Sequence, residues 1–283
     1  MAPVLEGTAE GRLVSEVTVD TTPQTWHHGL VADWWAEFNL DGPEIDYFGR
    51  FVERGQPALD AGCGAGRLLV PWLRAGFDVD GCDMSADMVA RCGDRARREG
   101  FEPALFVQPL HELDPPRTYR TIVACGVFGL GSTRAQDEEA LRRFHRFLEP
   151  GGTLLLDNEA PYSDGEQWKR WTKDERARLP EQWSGSPLPR RRARDGTEYA
   201  LDARALDVDP LNQTQLLEIH VERWRNGTLE AEEEHRISIR SYFRDELLLM
   251  LERAGFTDVV VRGDYTDDEP TADHEFLVFA ARK

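Results

Sequence analysis

Between Pro57 and Asp157 the chain repeats one pattern: a short apolar run, a turn, then apolar residues at three- and four-residue spacing. Pro57–Ala61, Phe77–Cys82, Pro103–Gln108, Tyr119–Cys125 and Thr153–Asp157 read as strands. Leu68–Ala75 reads as a helix, with Pro71 near its first turn, where little hydrogen bonding is lost. Ser85 caps a second helix with Asp87 in its first turn, an inner stripe of Met88, Val89, Cys92 and Ala96, and Gly100 at its end. Ser132 or Thr133 opens a third, with Leu141, Phe144, Phe147 and Leu148 inward. Parallel strands need long crossovers, so this alternation predicts a parallel sheet with helices on both faces. The crossovers of such sheets are right-handed, and ligands lie beyond the carboxyl ends of the strands.

The 283 residues suit about two domains, or one large α/β unit carrying an insertion. Residues 1–24 read as a flexible tail. Residues 25–160 read as the α/β core, preceded by a helical lid with Leu30, Val31, Trp34, Trp35 and Phe38 at helical spacing. In residues 161–240 the pattern changes. A segment rich in Trp, Pro and Arg leads to three strand-like runs, Glu198–Val208, Gln215–Arg225 and Leu229–Arg240. Asn226-Gly227 between the last two is a strong hairpin signal. This predicts an antiparallel insertion, a substrate cap or a dimer contact. Leu217, Ile219, Val221 and Arg223 share one of its faces; Glu218, His220, Glu222 and Trp224 share the other. The apolar face must be buried, on the core or on a partner, and a homodimer is expected. The core resumes over residues 241–283, with a helix Tyr242–Ala254 and strands Thr257–Arg262 and Glu275–Ala281.

The formal net charge of −18 disfavours nucleic acid, whose binding draws on Lys and Arg. The four cysteines (Cys63, Cys82, Cys92, Cys125) form no C-x-x-C pair and no zinc-spaced cluster, so no metal is expected. Three sit in or next to apolar runs, as reduced intracellular cysteines do. No basic and apolar leader is visible, and no apolar run nears the roughly 20 residues that span a bilayer. A cytoplasmic protein without a membrane partner is expected.

The stretch LDAGCGAGR, Leu59–Arg67, narrows the ligand. A dinucleotide fingerprint needs G-x-G-x-x-G, and here Arg67 holds the third-glycine position. A P-loop needs Lys-Ser/Thr, which is absent. About twenty residues further on, Asp83 ends the second strand, where a carboxylate accepts both ribose hydroxyls. Asp60, before the turn, would repel a pyrophosphate but suits an amino group. A nucleoside with a cationic amino-acid tail and no phosphates, S-adenosylmethionine (SAM), fits all of these features.

With the acid at Asp83 and the runs FLEPGGTLLLD (Phe147–Asp157) and DELLLMLERAGFTDVVV (Asp245–Val261), the chain resembles the class I SAM-dependent methyltransferases of small-molecule type. The resemblance covers about residues 56–160 and 241–281 and carries no substrate. It implies a Rossmann-like, mostly parallel seven-stranded sheet, its last strand antiparallel, with the β insertion between strands five and six. It implies cofactor contacts at Asp60, Gly62, Cys63, Gly64, Arg67, Asp83, Met84, Gln108 and Cys125. Gly62, Gly64 and Gly66 would let the backbone lie against the methionine portion, and the Cys125 carbonyl would face its amine. Met84 would pack on the adenine, Gln108 would meet its amino group, and Arg67 would pair with the methionine carboxylate. Asp114-Pro115-Pro116-Arg117, before the fourth strand, reads as a turn.

His27 and His28 precede the aromatic helix, and His28 is a candidate base. Glu159 and Tyr162 lie at or beyond the end of the fifth strand and are candidate acceptor contacts. Arg190, Arg191, Arg192 and Arg194 form the one basic cluster, either a solvated loop or a receptor for an anion. The expected reaction is methyl transfer from SAM to N, O or C of a small metabolite. A protein or RNA methyltransferase, a non-catalytic SAM-binding protein and an NAD-linked oxidoreductase are the rival readings.

Overall fold

The computed structural model describes Thr25, residues 27–185 and residues 187–283; the tail expected over residues 1–24 lies outside them. Helices α1 (Gly29–Phe38) and α2 (Glu44–Arg54) precede β1 (Ala58–Ala61). There follow α3 (Leu69–Arg74), β2 (Val79–Asp83), α4 (Ala86–Arg98), β3 (Leu105–Val107), β4 (Tyr119–Ala124), α5 (Arg134–Phe147) and β5 (Leu148–Glu159). Short helices α6 (Gly165–Lys169) and α7 (Lys173–Arg176) lead to β6 (Arg190–Arg192), β7 (Glu198–Asp209), β8 (Thr214–Arg225) and β9 (Thr228–Arg240). Helix α8 (Arg244–Ala254) and strands β10 (Thr257–Gly263) and β11 (Phe276–Arg282) close the chain.

Seven strands form one sheet in the order β10-β11-β5-β4-β1-β2-β3. Strands β1 to β5 pair in parallel, and β11 runs antiparallel to both β5 and β10. This is the expected Rossmann-like arrangement. Alternate strand residues serve opposite faces. Ala58, Val123 and Leu155 pack under α2, α3 and α4 with Phe48, Leu69 and Cys92. Leu59, Ile122 and Leu154 pack under α5 and α8 with Phe144 and Leu251. Ser85 caps α4 by accepting from Met88 N, and Thr133 and Gln136 form a capping box on α5.

Three elements differ from expectation. Helix α2, which carries Tyr47, Phe48 and Val52 inward, is not among the expected elements. Strand β5 starts at Leu148 rather than at the expected Thr153 and runs through Pro150-Gly151-Gly152. The arginine cluster supplies an edge strand, β6, rather than a loop.

Strands β6 to β9 form a second, antiparallel sheet in sequence order. Asn226 (φ 51°) and Gly227 (φ 78°) turn its last hairpin, both at the positive φ that a type I′ turn requires. Its apolar face, Ile219, Val221 and Ile237, is covered by Leu30 and Val31 of α1. The other side of α1 places Ala32 on Ala65 and Met88 of the core. So α1 is a wedge between the two sheets. The insertion also docks on the loop after β4, through Arg240 N to Gly129 O (2.8 Å) and Gly131 N to Ser238 O (2.9 Å). Among the described residues no helix is long and apolar enough to cross a membrane.

Candidate active site

A cavity of about 490 Å³ lies where the carboxyl ends of β1, β2, β4 and β5 meet the N-terminal segment. Its floor is the glycine turn. Gly62 N and Cys63 N both donate to Cys82 O (2.7 and 2.9 Å), tying the turn to β2. Gly62 has φ +92°, and a Cβ on it would sit 2.3 Å from Val127 Cγ1. Gly64 has φ +51°, and a Cβ there would meet only the Met88 Cε methyl, at 3.2 Å. The turn is thus held from behind at Gly62 and nearly bare at Gly64.

Two carboxylates flank it. Asp83 Oδ2 accepts from Gly64 N (3.0 Å) and Oδ1 from Ser85 N (2.8 Å), so each oxygen keeps a lone pair. Asp60 is 1% exposed, and its Oδ2 has no hydrogen-bond partner. Burial, and then the nearby Asp83, push the Asp60 carboxyl up to about 8. A buried carboxylate oxygen without a donor is costly, and a cationic ligand would relieve it.

Deeper in, Asp157 at the end of β5 accepts from Gly126 N (2.6 Å), the Tyr265 hydroxyl (2.7 Å) and the Cys125 thiol (2.9 Å). Burial, then Asp157, push the ionisation of Cys125 and Tyr265 far up, so both stay protonated donors. Arg67 pairs with Glu44 of α2 and donates to Cys125 Sγ (3.6 Å). Glu44 and Tyr265 line the cavity and were not foreseen. No motif in the sequence marks Glu44, because the helix that carries it is not among the expected elements. Tyr265 lies 108 residues from the aspartate it meets.

The other site residues divide. Gly62, Cys63, Gly64, Arg67, Asp60, Asp83, Met84, Cys125 and Glu159 all line the cavity. Gln108 does not: its side-chain oxygen accepts from Asp114 N (3.1 Å), and Pro109, Leu110 and His111 supply that wall. Nor does His28, whose ring packs edge-on against His235 at 4.1 Å over β9. His27 lines the cavity instead, its ring 5.4 Å from that of Trp35. Burial, then His28, lower its pKa to about 4, so it is neutral at neutral pH. Tyr162 is 38% exposed and stands clear of the cavity.

Three of the four arginines of the cluster are engaged within the chain, and Arg194 is exposed. Arg190 stacks on Trp224 (3.5 Å), Arg191 on Phe38 (4.3 Å), and Arg192 pairs with Glu198 (2.8 Å). His220, Glu222 and Glu232 have donor atoms within 4.8 Å of one another on the face of the second sheet away from α1, outside the cavity.

A mostly parallel sheet with this strand order, a glycine turn after β1 and a carboxylate ending β2 are those of a class I SAM-dependent methyltransferase, whose cofactor is SAM. Residues 58–152 match the family described as "Methyltransferase domain". A Geobacillus sp. (strain WCH70) protein, named as a methyltransferase without a substrate, is 25% identical over 80% of this chain and 83% of its own. A SAM-dependent methyltransferase from Clostridium acetobutylicum superposes with a TM-score of 0.67 at 15% identity, over 89% of this chain and 97% of its own. The sugar N-methyltransferase KedS8 from Streptoalloteichus sp. superposes with a TM-score of 0.64 at 16% identity, over the whole of both chains.

Proposed function

We propose that this enzyme transfers a methyl group from SAM to a small molecule held inside the cavity. The carrying observation is the size of the cavity. Thr25, His27, Trp35 and Asn39 wall the cavity beside the strand ends, leaving about 490 Å³. That is a volume for small ligands rather than for a folded macromolecule. The charge of −18 also opposes an RNA acceptor. Similarity to a sugar N-methyltransferase supports the same reading.

SAM fits the donor set, and we assign it as follows. The unpaired Asp60 Oδ2 takes the amino group of the methionine portion. The free lone pairs of Asp83 take the ribose hydroxyls, and Met84 packs on the adenine. The open face of Gly64 lets the ligand lie on the backbone. Arg67, steadied by Glu44, faces the methionine carboxylate, and the Cys125 carbonyl faces the amine. When bound, SAM supplies an electrophilic methyl on a sulfonium. The protein's own share is mostly positioning and exclusion of water, for which effective-molarity arguments allow roughly 7–11 kcal/mol.

Residues 25–160 and 241–283 would form the catalytic unit, with 161–240 as its cap. The four buried free cysteines suit a reducing compartment, and we place the protein in the cytoplasm. Because α1 covers the apolar face of the second sheet, that face calls for no second copy of the chain.

Calorimetric titration with SAM tests the assignment. Asp83→Ala is expected to weaken binding by about 1.5–3 kcal/mol, the range for hydrogen bonds to a charged group. Unchanged affinity in the folded variant would remove Asp83 from the site. Screening metabolite pools for a SAM-dependent gain of one methyl would find the acceptor.

A further inference from the structure

The cavity lining carries six carboxylates: Glu44, Asp60, Asp83, Asp137, Asp157 and Glu159. Against them stands one guanidinium, Arg67, already paired with Glu44. His27 adds no charge at neutral pH, and His111, also in the lining, is engaged by Gln136 and Glu112. SAM brings a sulfonium, an ammonium and a carboxylate, a net charge of about one, which leaves the cavity negative.

The carboxylates are not equivalent. Asp137 accepts from Ser132 Oγ (2.6 Å) and Tyr242 Oη (2.5 Å). Asp157 already accepts from Gly126 N, the Tyr265 hydroxyl and the Cys125 thiol, and Asp60 and Asp83 flank the glycine turn. Glu159 remains. It ends β5 at the cavity mouth, and its carboxylate makes no hydrogen bond or ion pair among the described residues. Burial, then Glu275 and Asp164, raise its pKa, so those two carboxylates share its field. The adjoining wall is aromatic: Phe276 and Tyr265 both line the cavity, their rings 5.5 Å apart. Carboxylates beside aromatic faces are what an organic cation selects. Among the described residues of the lining an anionic acceptor finds no unpaired guanidinium, since Arg67 is paired with Glu44.

We propose that the acceptor is an amine, received as its ammonium ion by Glu159 beside Phe276 and Tyr265. This rests on the reading of the cavity as the site of methyl transfer. The ammonium gives one proton to the Glu159 carboxylate and becomes a neutral amine. The nitrogen lone pair forms the new N–C bond as the methyl's C–S bond breaks, and that electron pair stays on sulfur. The product is a methylated ammonium ion, and Glu159 returns its proton to water.

The test uses the full chain and a panel of primary and secondary amines, amino sugars among them. Each amine is matched with the alcohol and the carboxylic acid of the same skeleton. SAM binding is measured first by titration. No binding there would overturn the site reading itself, before any acceptor is added. With the cofactor bound, transfer is read as S-adenosylhomocysteine release and the methyl is located by mass spectrometry. Amine binding is read separately by calorimetry in the presence of S-adenosylhomocysteine. The expected result is N-methylation, with matched alcohols and acids lower in kcat/KM by about tenfold or more. Glu159→Gln should weaken amine binding about fivefold or more while leaving cofactor affinity unchanged. Turnover of no amine, equal or better turnover of alcohols or acids, or amine binding unaffected by Glu159→Gln would each overturn the proposal.

Discussion

Asp60 shows how one residue links stability to the ligand. Its pKa rises from 3.8 to about 8 on folding, so between these values the folded state holds a proton that the unfolded state has lost. Its contribution to stability therefore falls as pH rises through that window. Thermal melts from pH 5 to 8.5 are expected to fall more steeply for the ligand-free protein than for Asp60→Asn. Parallel curves would mean that Asp60 is not protonated in the fold. The two glycines separate in the same way. Gly62→Ala meets Val127 and adopts a disfavoured φ, so it should destabilise the fold by about 1–3 kcal/mol in denaturant titration. Gly64→Val faces the cavity, so its larger effect is expected on SAM affinity. Unchanged SAM affinity in a folded Gly64→Val variant would contradict the open space at Gly64.

At the scale of elements, α1 decides whether the cavity closes. Its N-cap residue, His28, makes no side-chain cap. Instead Gly29 N donates to Asp87 of α4 (2.7 Å) and Leu30 N to Glu233 of β9 (2.8 Å). Carboxylates from both neighbours thus serve the positive end of the helix. Ser85 Oγ also donates to His27 O, fixing the segment that walls the cavity. Val31 is 0% exposed within the apolar layer. Val31→Asp would bury an unpaired charge, at a cost of roughly 3 kcal/mol or more. Faster proteolysis between residues 27 and 45 and weaker SAM binding are expected, with the α/β core still folded by circular dichroism. Unchanged protease resistance would show that this layer does not hold α1.

For the whole molecule, covering the apolar sheet face within one chain removes the reason for a partner. Exposed large apolar residues such as Leu211, Leu249 and Val107 come from separate elements. Light scattering is expected to give one species near the chain mass of 32.2 kDa. Twice that mass would place an interface on a surface other than the one α1 covers.

The α/β pattern, the glycine turn between β1 and α3, the cap at Ser85 and the Asn226-Gly227 hairpin are legible in the sequence, which narrows the α5 cap to Ser132 or Thr133. Each depends on neighbours a few residues away, through periodicity, capping or a positive φ. It also placed Asp60, Asp83 and Glu159 at strand ends, because parallel strands gather their carboxyl ends on one side. Only the tertiary structure decided which of His27 and His28 faces inward, because the docking of α1 between two sheets fixes that choice. It alone turned the Gln108 side chain to Asp114, paired Arg67 with Glu44, and brought Tyr265 to Asp157. These side chains follow contacts between segments distant in the chain, and a local pattern contains no information about them.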